Sequence, residues 1–91
     1  MTLTNEILLE IEEMAGLFMT PKAISIIVGI EESDFMDELE DEDSAIYKHY
    51  YRGHYKSEAE LRTAVMRLAK QGSSPAQTLA LKLWEQSKTA D

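Results

Sequence analysis

One stretch, residues 44–72, SAIYKHYYRGHYKSEAELRTAVMRLAKQG, constrains the fold more than any other. Ile46, Tyr50, Gly53, Ser57, Leu61, Val65 and Leu68 recur at spacings of three and four, which lays a continuous small-or-apolar stripe along one side of a helix. Chemistry marks both ends. Ser44 can cap the helix by accepting a backbone N–H bond, Lys70 brings positive charge to the negative end of the dipole, and Gly72 suits the left-handed turn that closes a helix. At about 1.5 Å per residue such a helix is roughly 40 Å long. A chain of 91 residues, 44% of them apolar, makes one domain (1–91) with a small core, too little to wrap that length on all sides. Part of the helix is therefore expected to meet a partner. The capping-box pattern Ser57-Glu58-Ala59-Glu60 leaves a second reading open, in which the helix bends or breaks between Gly53 and Ser57.

The first half of the chain reads as shorter helices. In residues 4–17, TNEILLEIEEMAGL, the residues Ile7, Leu8, Ile11, Met14 and Ala15, followed by Phe18, share one stripe, with Thr4 as N-cap and Glu6 near the positive end of the dipole. Thr20-Pro21 starts a second helix, PKAISIIV, which buries Ile24, Ile27 and Val28 and stops at Gly29. Ser33 is placed to cap a third, DFMDELED, with Phe35, Met36 and Leu39 inward. After Gly72, Ser73-Ser74-Pro75 re-caps at once, and the last helix is expected to bury Ala76, Leu79, Ala80, Leu83 and Trp84. The expected fold is all-α: a helix-turn-helix-like N-terminal part (1–43), then the long helix and a C-terminal hairpin (44–88). Its expected core is Ile7, Ile11, Ile24, Ile27, Phe35, Leu39, Leu61, Val65, Leu68, Leu79 and Leu83.

Charge divides the chain. Residues 1–46 hold one basic residue, Lys22, against thirteen acids, a net of −12, whereas residues 47–91 hold eight basic against four acidic, a net of +4. A total of −8 argues against general nucleic-acid binding, because phosphate neutralisation supplies most of such affinity, but it permits a local basic surface. Lys48, Arg52 and Lys56 form such a row at four-residue spacing, with Tyr47, Tyr51 and Tyr55 in the row beside it, a combination suited to a phosphate backbone or stacked bases. Lys22, at the start of the second helix, adds a cation where backbone N–H groups also favour anions. The other reading is structural: the tyrosines edge a helix–helix contact, and the basic row neutralises residues 31–43, which hold nine acids and no base. Tyr47, Tyr51, Tyr55, Leu83 and Trp84 are the expected oligomer interface, since aromatic groups remove much area from water while keeping a polar edge.

Several chemistries find no support. The chain has no cysteine, which excludes disulfides, thiolate metal sites and a cysteine nucleophile and agrees with a reducing compartment. His49 and His54 are five apart, on different faces of a helix, with no third ligand at metal spacing. The acidic run DELEDEDS lacks the glycine and alternating ligands of a calcium loop, and neither a phosphate-cradling glycine loop nor a nucleophile elbow is present. The expectation is a protein that is no enzyme and needs no cofactor. Nothing is apolar and long enough to span a membrane, and MTLTNEILLEIEE lacks the features of a signal peptide, so the cytoplasm is the expected location, a host cell's if the protein is viral.

The order of motifs has a counterpart. A helix-turn-helix pattern, an acidic linker, Tyr50-Tyr51-Arg52-Gly53, Ala59-Glu60-Leu61-Arg62, and Leu68-Ala69-Lys70-Gln71-Gly72-Ser73 followed by Pro75-Ala76 and a leucine-rich helix together resemble the small terminase subunits of tailed bacteriophages, over about residues 18–86. That resemblance implies a ring-forming protein that recognises double-stranded viral DNA for packaging and regulates a large terminase subunit. Where the family is expected to be polar or basic, this chain has the acidic helix after Gly29, with no side chain suited to reading a base edge. The sign of the working surface therefore separates two functions. One is a DNA-packaging accessory protein that self-associates through its C-terminal hairpin. The other is an acidic, DNA-mimicking interaction module or inhibitor that binds a basic protein surface.

Overall fold

The computed structural model describes residues 3–89. It contains α1 (Asn5–Gly16), α2 (Pro21–Val28), α3 (Glu32–Leu39), α4 (Ala45–Lys70) and α5 (Ser74–Ser87), with no strand among the described residues, so the chain is all-α as expected. Most boundaries fall where the capping chemistry put them. Thr4 Oγ1 accepts from the Ile7 amide at 3.1 Å, Thr20 Oγ1 from the Ala23 amide at 3.2 Å, and Ser73 Oγ from the Ala76 amide at 3.3 Å. Gly29 and Gly72 both take positive φ, and in each case the next amide reaches back to close the helix, Ile30 to the Ser25 carbonyl at 2.9 Å and Ser73 to the Leu68 carbonyl at 3.1 Å. α3 departs from expectation. It starts at Glu32, after a Glu31 that makes no side-chain cap, so Ser33 lies inside the helix.

Contacts divide the chain into two compact units, one ending at Ser57 and the other beginning at Glu58. In the first, Ile11, Ile24, Phe35 and Ile46, one from each of its four helices, are completely removed from water. Leu8, Ala15 and Leu39 pack around them, and Tyr50 sets its ring edge against Phe35 at 6.4 Å between centroids. Burying each of these large side chains contributes about 1.5–3 kcal/mol, which makes this quartet the main source of the unit's cohesion. α2 turns its Ile24–Ser25 side inward, and the buried Ser25 hydroxyl donates to the Lys22 carbonyl at 2.7 Å. Ile27 is consequently 57% exposed, against expectation, and Met36 faces water as well.

α1 and α4 meet backbone to backbone. A Cβ added at Gly53 would lie 1.9 Å from the Glu12 carbonyl oxygen, and one added at Gly16 would lie 2.8 Å from Ser57 Oγ. Gly53 is therefore a packing glycine, and α4 runs through it and through Ser57 without the break that the capping-box pattern allowed. Gly16 is the last residue of α1 and Leu17 its C-cap, so the left-handed position that closes the helix falls at Phe18, with φ 60°. Its amide donates to the Ala15 carbonyl at 3.0 Å, and the Met19 amide to the Met14 carbonyl at 3.3 Å.

The second unit is a hairpin of α5 and the C-terminal part of α4. Gln77 Nε2 donates to the Ala69 carbonyl at 3.1 Å, tying the two helices beside their turn. Only Ala69 and Ala76 are buried among its described residues. Leu61, Leu68 and Leu79, expected in the core, are each about half exposed, and Val65 and Leu83 are only partly covered. Within this unit each helix has one neighbour, which covers less than the roughly 100° apolar stripe that the sequence supplies.

Candidate nucleic-acid interface and assembly surface

Helical phase on α4 decides which of its side chains meet water. The serine that caps it is buried, its Oγ accepting from the Ile46 amide at 3.1 Å and the Tyr47 amide at 3.4 Å, and this fixes Ile46 in the core. Lys48, Arg52 and Lys56 then fall on an exposed row. Lys22 is exposed as well, at the second position of α2. Among the described residues neither Lys48, Lys56 nor Lys22 forms an ion pair within 4.0 Å. Arg52 is the partial exception. Its Nη1 lies 3.6 Å from Glu12 Oε1, an acid on α1, and its side chain remains largely in water.

Sequence reasoning missed the group around Glu12. The same Oε1 lies 2.9 Å from His49 Nδ1, with both side chains about one-fifth exposed, so this histidine is engaged by a carboxylate one turn from the Gly53 contact. The signal was present in the spacing: His49 and Arg52 are three apart and share the flank of α4 that Gly53 presses onto α1. His54 lies elsewhere, with its ring 5.3 Å from that of Phe18, 6.3 Å from Tyr50 and 5.3 Å from Tyr55. Among the described residues no cluster of three histidine, aspartate or glutamate side chains has the geometry to hold a metal ion.

The tyrosines form a ladder beside the basic row. Ring centroids are 4.6 Å apart for Tyr47 and Tyr51 and 5.8 Å apart for Tyr51 and Tyr55, and Tyr50 sets its edge on Tyr51 at 5.0 Å. Exposure rises along it, from the half-buried Tyr47 and Tyr51 to Tyr55, which is mostly in water. Partial removal from water raises the Tyr47 phenol above its usual pKa, helped by the Glu42 carboxylate and the neighbouring Tyr51 and Tyr55; Tyr50 is raised by burial and by Tyr51. Tyr51 and its neighbour Tyr50 pack against the core, so of the three ladder rings it is Tyr55 that stands farthest into water.

Leu83 and Trp84, the other expected interface residues, belong to the second unit. Leu83 is half-buried, while Trp84 is 56% exposed with the Lys88 ammonium 3.7 Å above its ring. Beside it α4 and α5 enclose an open groove of about 680 Å³, floored by Ala69 and Ala80 and walled by Met66, Leu81 and Trp84. The structure thus gathers Tyr47, Tyr51 and Tyr55 in one unit and Leu83 and Trp84 in the other. No helix among the described residues is long and apolar enough to cross a membrane. Comparison with protein-family models, with curated proteins and with solved structures finds no match for the chain.

Proposed function

We propose that this protein is a non-enzymatic DNA-packaging accessory of the small-terminase type, which self-associates and contacts double-stranded DNA through Lys22, Lys48, Arg52 and Lys56. The observation that supports it is that one chain combines an exposed cationic row beside aromatic rings with a hairpin whose large apolar side chains lie in water. Phosphate contact uses the row because α3, the helix that would enter a major groove, offers only Glu32, Asp34, Asp37 and Glu38 among charged groups. The assembled protein would then hold DNA for a large terminase subunit. Fluorescence anisotropy of a labelled duplex at 50 and 200 mM salt tests this. Affinity is expected to fall with salt, and charge reversal at Lys48, Arg52 and Lys56 to lower it and flatten its salt dependence. Absence of binding at 50 mM salt, or binding unaltered by the reversal, refutes the assignment.

A second reading is supported by residues 31–43. All nine of their acids lack an ion-pair partner within 4.0 Å among the described residues, and all but the half-exposed Glu38 are exposed. Such a surface suits a basic protein groove, and binding to a polycation without binding to DNA would favour it.

A further inference from the structure

One carboxylate of α1 serves two residues of α4. Glu12 Oε1 lies 2.9 Å from His49 Nδ1 and 3.6 Å from Arg52 Nη1. His49, Arg52 and Gly53 share one flank of α4, and the Glu12 carbonyl rests on Gly53, so that backbone contact holds the acid against that flank. The two partners differ in shelter. The Glu12 and His49 side chains are 23% and 22% exposed, whereas that of Arg52 is 60% exposed, so water and salt screen the inner pair less than the outer one. A neutral imidazole meets an ionised carboxylate at this distance with its proton on Nδ1, so His49 donates while Glu12 keeps its full charge for Arg52. A second proton makes His49 a cation against the same oxygen, and the charge of the acid is then offset from the inside. Glu13 and Lys48, the chain neighbours of Glu12 and His49, are both exposed. Cations are scarce in this unit: it holds four basic against thirteen acidic residues, a net of −9. Among the described residues Arg52 is the one of those four with a carboxylate within 4.0 Å.

We infer that Glu12 and His49 form a pH-sensitive brake on the cationic row: with His49 neutral Glu12 holds Arg52, and with His49 protonated Glu12 turns to His49 and frees Arg52 for phosphate. This rests on the DNA contact proposed above and assigns its regulation. Glu12 and Arg52 together carry no net charge, and the histidine proton brings the group of three to +1. Affinity for a duplex therefore rises as pH falls through the range in which histidines gain charge, about pH 8 to 5. The rise is bounded by the worth of one exposed ion pair, up to about fivefold. One more phosphate contact also steepens the salt slope by about 0.9.

Two readouts on the full chain test the brake and keep it separate from the DNA assignment. In side-chain NMR of the nitrogen-labelled chain without DNA, the Arg52 Nε resonance should shift with the same midpoint as His49. Glu12→Gln should abolish that response of Arg52 while His49 still titrates. In the duplex titration, affinity at about pH 5.5 should exceed that at about pH 8 by up to about fivefold. His49→Gln and Arg52→Gln should each remove the rise, and Glu12→Gln should bind at the higher pH as tightly as the parent does at the lower. Circular dichroism at both pH values checks that helicity is kept, which the exposure of Arg52 favours. His54, whose ring lies against those of Phe18 and Tyr55, is the other histidine that gains charge in this range. A rise that survives His49→Gln assigns the effect to His54 and overturns the brake. An Arg52 resonance indifferent to His49, or a rise that survives Arg52→Gln, overturns it as well. Coupled resonances in a chain that binds no duplex at either pH refute the DNA assignment and leave the exchange of partners at Glu12 standing.

Discussion

Replacing Gly53 with alanine adds one methyl group at the tightest point of the first unit. The new carbon would start 1.9 Å from the Glu12 carbonyl oxygen and 2.8 Å from its carbonyl carbon. Favourable carbon–oxygen contacts begin at roughly 3.3 Å, so α1 must withdraw by about 1.4 Å. Both atoms are backbone, and no rotamer change absorbs the shift. A gap of that size forfeits close to half of the dispersion contacts that Ile11 and Ala15 make across it. Glu12 also draws away from His49, at a cost of about 1 kcal/mol.

Overpacking costs about 1–3 kcal/mol, and the withdrawn contacts about 2 more, against a gain of about 1 kcal/mol from replacing glycine inside a helix. The expected net loss is about 3 kcal/mol. For a chain of this size that lowers Tm by roughly 12–24 °C, measured by circular dichroism at fixed protein concentration. The isolated peptide 45–70 should respond with the opposite sign, gaining helicity, because no α1 is present to collide with. A full-length Gly53→Ala variant as stable as the parent, or more so, would refute the backbone contact. Equal gains in peptide and protein would show that Gly53 serves neither contact nor fold.

Three further perturbations test separate features. At Phe18, with φ 60°, Phe18→Gly should be more stable than Phe18→Ala by about 1 kcal/mol in urea titrations, since both lose the ring and only glycine escapes the left-handed penalty; equal stability would refute strain there. Ser44→Ala should cost about 1–2 kcal/mol by the same assay, because it leaves the Ile46 and Tyr47 amides without their buried acceptor, and a change under 0.3 kcal/mol would show that water replaces the hydroxyl. The raised pKa of Tyr47 and Tyr50 makes deprotonation harder in the folded chain, so their stabilisation is complete below the unfolded value near 10 and is lost as pH climbs through the folded values. Absorbance titration at 295 nm should show two phenols lagging, with Glu42→Gln bringing forward only that of Tyr47.

How much of this fold the sequence disclosed depended on whether a feature was local. Thr4, Thr20, Ser44, Gly29 and Gly72 act within four residues of themselves, and all five hold the predicted positions. The inward faces of α1 and α3 were legible too, through Ile11, Phe35 and Leu39. Leu61, Leu68 and Leu79 misled because periodicity reports that a stripe is apolar and is silent on what covers it. Gly53 sat correctly on the apolar stripe, but its use as the bearing surface for α1 depends on a residue 41 positions earlier. The Glu12–His49 pair likewise joins residues far apart in the chain: the spacing of His49 and Arg52 marks one flank of α4 but does not name the acid that meets it.

The number of cations ties the two proposed activities together. On the proposed reading Lys22, Lys48, Arg52 and Lys56 supply four phosphate contacts per chain, and Arg52 must share its charge with Glu12. Four contacts give a slope of about −3.6 in log affinity against log salt, a loss of about 150-fold between 50 and 200 mM. The −9 of the first unit works against even this grip, so on the proposed reading a single chain is expected to bind DNA weakly. Two chains held together through their hairpins offer eight contacts, a slope near −7 and a loss of about 2 × 10⁴ over the same interval. The second site engages as an intramolecular event, which raises affinity without any new contact. On the proposed reading, dissociating the hairpins with Leu81→Glu should therefore halve the salt slope even though Leu81 touches no phosphate. An unchanged slope in a variant shown to be monomeric would mean that assembly and DNA contact are independent properties of the chain.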